Sequence, residues 1–315
     1  MQNQTETTLM VLVARLYYEQ DLNQNEIAKR LKLTRQKVSR LLIQARTTGV
    51  VRITICDPVL SDPELSNRLK EAFGLHEVIL TRGDDLDADT LRKRIGVAAA
   101  EYLTQVLKDE TRVGIGRGRS LYEVVSAFPK KQQVAINVTP LMGGIGEMAP
   151  FFQNNELARQ LAESFGGKYR ALYLPAFVQD QETLSALMNT LELTQVAEAW
   201  KQISLAIVGI GNIEFQQMSS MYFANYISQE AIDRLVEYGA VGDICGRFFD
   251  INGNPVQVET GIIGIDLQRM RSIPETIGIA GGKEKAQAII GALRGGYIKT
   301  LVTDTVTAQT ILAEA

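Results

Sequence analysis

The sequence predicts an α/β protein in two parts: a winged helix-turn-helix head over residues 1–56, and a large α/β domain over residues 57–315 with a mostly parallel sheet. Three observations carry this reading. Apolar residues between Ile27 and Ala45 repeat at helical spacing in two short blocks. From Val78 onward, short β-branched or apolar runs alternate with longer helical stretches. Charge divides along the chain: residues 1–56 hold nine Lys or Arg against four Asp or Glu, a net of +5, while the remainder holds 24 against 32, a net of −8.

The head is read first. Leu9, Leu12, Val13, Leu16 and Tyr17 form a helical stripe that suits a supporting first helix. Ile27 and Leu31 give the second helix one apolar stripe, Leu33 sits in a short turn, and Val38, Leu41, Leu42 and Ala45 repeat at i, i+3, i+4 and i+7 on the third. Thr34 stands at the N-cap of that third helix, where its hydroxyl can accept a bond from an unpaired amide. With the apolar stripe inward, Gln36 and Arg40 point outward and Lys37, Ser39 and Gln44 lie on the flanks. Such residues address base edges and phosphates, so Thr34, Arg35, Gln36, Lys37, Ser39 and Arg40 are the candidate DNA-contacting set. Gly49 breaks the helical pattern before VVRITI, whose alternation reads as a strand and a small wing. A basic head on an acidic body fits phosphate neutralisation at one end only. The bland reading is a solvated helical pair that packs on a partner. The charge asymmetry and the exposed Gln/Arg face argue against it.

DPVLSDPEL, residues 57–65, has two prolines and three acidic residues and reads as a linker, after which Leu65, Leu69 and Phe73 mark a short amphipathic helix. Expected strands follow at 78–80, 113–115, 134–139, 169–174, 205–210, 244–249, 277–280 and 298–303. Helix-like stretches lie at 90–107, 183–201 and 283–294. Asn252-Gly253 is expected to turn a hairpin. No internal repeat is apparent.

Composition excludes several classes. No apolar run approaches the roughly 20 residues that span a bilayer, and a secretion signal is not evident, so a soluble cytoplasmic protein without membrane contact is expected. Cys56 and Cys245 lack metal-ligand spacing, and His76 is the single histidine. Neither a metal site nor a Ser/His/Asp arrangement is therefore expected, and no catalytic residue is assigned. Met142 and Trp200 read as packing residues.

In an open parallel sheet, ligands bind where strands end and loops meet helix N-termini. GIGRGRS at 114–120 follows an expected strand and precedes a helix; its glycines let backbone approach a ligand, and Arg119 and Ser120 add charge and a hydroxyl. LMGGIG at 141–146, VGIG at 208–211 and AGGKEKAQAII at 280–290 repeat the pattern. A glycine after a strand is more often a simple turn than a ligand site. Four in one domain point to a phosphorylated or polyhydroxylated small molecule. Arg119 stands where GxGxxG needs its third glycine and GxxxxGK[ST] is missing, so no nucleotide cofactor is expected.

The head motif NQNEIAKRLKLTRQKVSRLL, together with GIGRGRSLYEV, GAVGDICGRFFDINGNPV, AGGKEKAQAIIGALRGGYI and LVTDTVTA, resembles the SorC family of sugar-responsive bacterial transcription regulators over essentially the whole chain. The resemblance implies a body related to ribose-phosphate isomerase and glucosamine-phosphate deaminase folds, a homodimer or homotetramer, and a sugar or sugar-phosphate effector that controls binding to double-stranded operator DNA. It implies effector contacts at Gly116, Arg117, Gly118, Arg119 and Ser120, at Gly143 and Gly144, at Asp243 as an acceptor for sugar hydroxyls, and at Lys285 for an anionic group. Two positions depart from the family pattern. Arg117 stands where relatives often have an aromatic residue, and Lys32 stands at a turn position often filled by glycine. Two other classes remain alongside the regulator: a sugar-phosphate isomerase or deaminase using Asp243 or Glu147 as base, and a constitutive DNA binder without effector.

Overall fold

The computed structural model describes residues 2–18, 20, 22–47, 50–51, 62–84, 86–128, 134–146, 150–213, 227–257 and 261–315. Residues 52–55 of the expected wing strand at 50–55, Cys56, most of the 57–65 segment and Glu147 lie outside the described residues. The chain divides into two units, Met1–Pro58 and Val59–Ala315.

The first unit is three helices, α1 (Gln2–Tyr18), α2 (Gln24–Leu31) and α3 (Arg35–Thr47). Their shared core is Met10, Val13, Ala14, Leu16, Ile27, Ala28, Val38, Leu41, Leu42 and Ala45. The α1 stripe differs from expectation at one position: Leu12 is exposed and Met10 is buried in its stead. α2 begins in a capping box, with the Asn23 side chain accepting from the Glu26 amide and the Glu26 carboxylate accepting from the Asn23 amide. It ends at Lys32, which adopts the left-handed conformation at φ 52° and ψ 42°. The helix-turn-helix bend is thus made without glycine, against the ordinary preference of L-residues. Leu33 donates its amide to the Ala28 carbonyl, and Thr34 caps α3 by accepting from the Lys37 amide at 3.1 Å.

The second unit opens with α4 (Pro63–Phe73), capped by Asp62 with proline in its first turn, so the expected linker ends inside a helix start. Chain order continues β1 (Glu77–Thr81), α5 (Ala88–Val106), β2 (Arg112–Ile115), α6 (Arg119–Ala127), β3 (Asn137–Pro140), α7 (Asn154–Ser164), β4 (Lys168–Tyr169) and β5 (Phe177–Val178). Next come α8 (Gln181–Met188), α9 (Leu191–Lys201), β6 (Leu205–Gly209), β7 (Gly211–Asn212), α10 (Gln229–Glu237), β8 (Ala240–Ile244), β9 (Arg247–Asp250), β10 (Pro255–Val256) and β11 (Gly261–Ile262). The chain closes with α11 (Leu267–Ser272), β12 (Glu275–Ile279), a 3-10 turn at Lys283–Lys285, α12 (Ala286–Arg294), β13 (Thr300–Asp304) and α13 (Thr305–Glu314).

Seven strands form a parallel sheet in the order β1-β13-β12-β6-β2-β3-β4. Alternate residues of each strand face opposite layers. Val113, Ile115, Leu205, Ile207, Ile277 and Ile279 join the core under α5, α6 and α7. Ala206, Val208 and Leu301 join the larger core with α4, α9, α11, α12 and α13. Burying the sheet on both faces is what makes its strands read as continuous apolar runs. A second, antiparallel sheet runs β10-β9-β8-β7 and starts where β6 ends, after the single residue Ile210. Among the described residues no helix is long and apolar enough to cross a membrane, and no cluster of His, Cys, Asp and Glu suits a metal ion.

Three expected elements take another form. The 244–249 run is a hairpin corner and not one strand: Cys245 and Gly246 have φ of 53° and 76°, and Asp243 accepts from the Gly246 amide at 3.0 Å. Two consecutive positive φ values reverse the chain as primed turns do. The 169–174 run pairs only at its start, because Leu172 and Tyr173 give their amides to the side chains of Asn155 and Glu192. The 183–201 stretch breaks into α8 and α9 at Thr190, which caps α9. The hairpin at Asn252-Gly253 joins β9 to β10 as expected.

Candidate functional site

In the head, packing leaves one face of α3 outward. Val38, Leu41, Leu42 and Ala45 are buried, while Arg35, Gln36 and Arg40 are exposed and Lys37 and Ser39 half-buried. The helix carries four cations, Arg35, Lys37, Arg40 and Arg46, and no acidic residue. Thr34 caps the helix, Gln36 and Arg40 stand on that outward face, Lys37 and Ser39 lie on its flanks, and Arg35 is exposed in the first turn.

In the body, the sheet order creates a switch point. β2 leads outward to β3 on one side, and its neighbour β6 leads outward through β12 on the other, so a crevice opens outside the carboxyl ends of β2 and β6. The loop Gly116–Gly118 leaves β2 there and enters α6 at Arg119. No side chain caps α6, so its first-turn amides start at the crevice with the positive end of the helix dipole. β6 ends beside that loop, with Gly209 against the Arg117 carbonyl.

Asp243 reaches the crevice from the second sheet. It lies opposite Gly211 in the β7–β8 register, and a Cβ on Gly211 would fall 1.9 Å from its Oδ1. Only glycine leaves room for this carboxylate, which explains the last glycine of VGIG. Asp243 is 7% exposed; burial raises its pKa above the ordinary aspartate value, opposed by Arg117, the Gly246 amide and Lys285. Lys285 donates from Nζ to the Ile210 carbonyl at 3.0 Å. Burial lowers its pKa, with Arg92 acting in the same direction and Glu284 and Asp243 against it, while Arg119 also lowers it. Arg92, Arg117, Arg119 and Lys285 are therefore within electrostatic reach of one another or of one buried carboxylate. The Cys245 thiol is pushed up to about 12, first by burial and then by Asp243. It stays a protonated, inert thiol at neutral pH.

The loop glycines act differently from one another. The Gly116 and Gly118 amides are already donated, to the carbonyls of Ile207 and Phe152. Gly143 and Gly144 donate to Ile263 and Leu174, and a Cβ on Gly143 would meet the Pro175 carbonyl oxygen at 2.4 Å. Gly143 lets strand-like segments pack closely, with Met142 against the Gly246 turn, while a Cβ on Gly144 would make only ordinary contacts. Their amides are not aimed at a ligand.

Three groups escaped the sequence reading. Arg92 lies on α5, about 25 residues before the glycine loop, and nothing local marks it. Asn212 directly follows VGIG, and its amide holds the Glu284 carbonyl, fixing the turn that carries Lys285. Asp304 caps α13 and accepts from the Gly282 amide at 3.0 Å, tying the AGG turn to the end of β13. A buried aspartate after a strand in LVTDTVTA was the available signal. His76 pairs with Glu275 at 2.8 Å, at the opposite end of the strands from the crevice.

Comparison with known proteins agrees with both regions. A sugar-binding domain family model matches residues 57–313, and the model for sigma-70, region 4 matches residues 5–48. The sorbitol operon regulator of Klebsiella pneumoniae is 31% identical, with 99% of this chain and all of that one covered. The deoxyribonucleoside regulator of Bacillus subtilis (strain 168) is also 31% identical, over 96% of this chain and 97% of its own. The crystal structure of the full-length sorbitol operon regulator SorC from Klebsiella pneumoniae superposes with a TM-score of 0.78 at 30% identity, covering 97% of this chain and 98% of that one. With a helix-turn-helix head, a sugar-binding body and end-to-end similarity to such regulators, the chain belongs to the SorC family of sugar-responsive bacterial transcription regulators.

Proposed function

We propose that the crevice at the ends of β2 and β6 binds a phosphorylated sugar, and that its occupancy controls the grip of the head on operator DNA. The observation that supports this is the buried Asp243 carboxylate with Arg117 and Lys285 acting on it, and with Arg92 and Arg119 acting in turn on Lys285. A neutral sugar has no use for so much positive charge, whereas a phosphate dianion does. In this reading Arg117, Arg119, Ser120, Lys285 and the first-turn amides of α6 receive the phosphate. Asp243 accepts bonds from sugar hydroxyls, with Gly116 and Gly118 shaping the loop and Gly143 and Gly144 holding the wall at Met142.

The head reads DNA through Thr34, Arg35, Gln36, Lys37, Ser39 and Arg40, and the boundary between the two functions lies near residue 57. A homodimer or homotetramer presents two heads to two half-sites in the cytoplasm, and the effector shifts their spacing by binding one arrangement more tightly than the other. The protein acts as a regulator without turnover. Thermal melting of the full-length protein against free sugars, sugar phosphates and inorganic phosphate tests the site. A saturable rise in melting temperature with one sugar phosphate, absent with its unphosphorylated parent, is the expected result. An equal rise with the parent sugar overturns the phosphate assignment, and silence across the panel overturns the sensor.

A further inference from the structure

We infer that Ile43 is a specificity-determining residue of the head, which contacts the 5-methyl group of a thymine in the major groove. This rests on the DNA-reading role of α3 and adds an apolar reader to its polar set. Ile43 is 52% exposed on a helix whose neighbouring Leu41 and Leu42 are buried at 1% and 3%. Taking about 100° per residue, the outward direction of α3 is opposite the mean of Val38, Leu41, Leu42 and Ala45. Gln36 lies roughly 10° from that direction, and Arg40 and Ile43 roughly 30° to either side of it.

Single exposed apolar residues are ordinary on a protein surface. Ile43 is set apart by its spacing and its surroundings. Gln36, Ser39, Arg40 and Ile43 stand at i, i+3, i+4 and i+7, the spacing by which the reading helix of three-helix DNA-binding domains addresses bases. From Gln36 to Ile43 the helix rises about 10 Å, the length of about three base steps. The helix around it carries Arg35, Lys37, Arg40 and Arg46 with no acidic residue, so the face suits a polyanion and not an apolar protein surface. On a major-groove floor otherwise built of donors and acceptors, the thymine methyl is the apolar feature. Gln36 and Arg40 match adenine and guanine edges, and Ile43 supplies the apolar contact they lack.

The test uses the full-length protein. Duplexes that bind are selected from a randomised pool, and each thymine of the selected half-site is then replaced by deoxyuridine, which pairs identically and lacks the methyl. One position per half-site is expected to lose about fourfold in affinity, the worth of one buried methyl. Ile43→Ala should abolish that penalty and relax selection at that position, while Ile43→Leu should keep it, both melting like the native protein. If deoxyuridine is neutral everywhere, or if Ile43→Ala retains the penalty, the inference falls while DNA reading stands. If the native protein selects no sequence, DNA reading falls and takes the inference with it.

Discussion

The head and the body place function in opposite ways. On α3 the candidate reading side chains are those that packing rejects: four buried residues fix the helix on its core, and the remaining periodicity turns Gln36 and Arg40 to solvent. In the body the candidate site is assembled from what packing admits. Asp243 sits in a gap left by Gly211, Lys285 bonds the Ile210 carbonyl, and Arg92 arrives from a helix far away in sequence. A surface reader can therefore be altered residue by residue, whereas in the buried site the pKa directions of Asp243 and Lys285 each depend on the other, so changing one disturbs its neighbour.

The largest effect that sharpens this contrast is expected from Arg40→Ala, which should weaken operator binding by up to about a hundredfold in a titration while leaving the effector-induced melting shift intact. Asp243→Ala should do the converse, lowering effector affinity about thirtyfold by calorimetry with effector-free operator binding retained. If either variant damages both activities equally, the two regions are not separable in this way.

A smaller effect is expected from Lys32→Gly. It removes the cost of holding an L-residue left-handed at the helix-turn-helix bend and should stabilise the head by about 1 kcal/mol in chemical denaturation. An unchanged or lowered stability would mean that Lys32 contributes more than its backbone strain costs.

The smallest is a slope with pH. Because burial raises the folded pKa of Asp243, the native state holds its proton more tightly than the unfolded chain. Stability is full below the ordinary aspartate value and falls as pH rises through the folded value. Asp243→Asn should lack that loss when melting temperature is followed across the window. Lys285 acts with the opposite sign at the alkaline end. Its folded pKa is lowered, so its contribution recovers as pH climbs toward the ordinary lysine value.

Much of this was legible in the sequence because it is local. Thr34 as a cap, the outward pair Gln36 and Arg40, and the strand-then-glycine loops are written in short-range spacing. The parallel sheet was legible because strands buried on both faces leave unbroken apolar runs. The corner at Cys245-Gly246 was not, since Cys carries no turn signal and the turn is held by the Asp243 carboxylate. The exposure of Leu12 depends on which side of α1 the other two helices occupy, and that is a tertiary fact. For the same reason Arg92, Asn212 and Asp304 were invisible: each acts on a segment remote in sequence. The fate of Gly143 and Gly144 was also hidden, because only the packed structure shows their amides already donated.

The direct passage of β6 into β7 through Ile210 has a mechanical consequence. The loop after β2 and the turn before α12 belong to the parallel layer, while Asp243 belongs to the antiparallel one, and Ile210 is where the chain passes directly from one to the other. A molecule bridging Arg117 and Asp243 would act as a rivet between the two layers. Its signature would be slowed amide hydrogen exchange on β7 and β8 together with the β2–α6 loop, a stiffening transmitted without any new contact between protein layers.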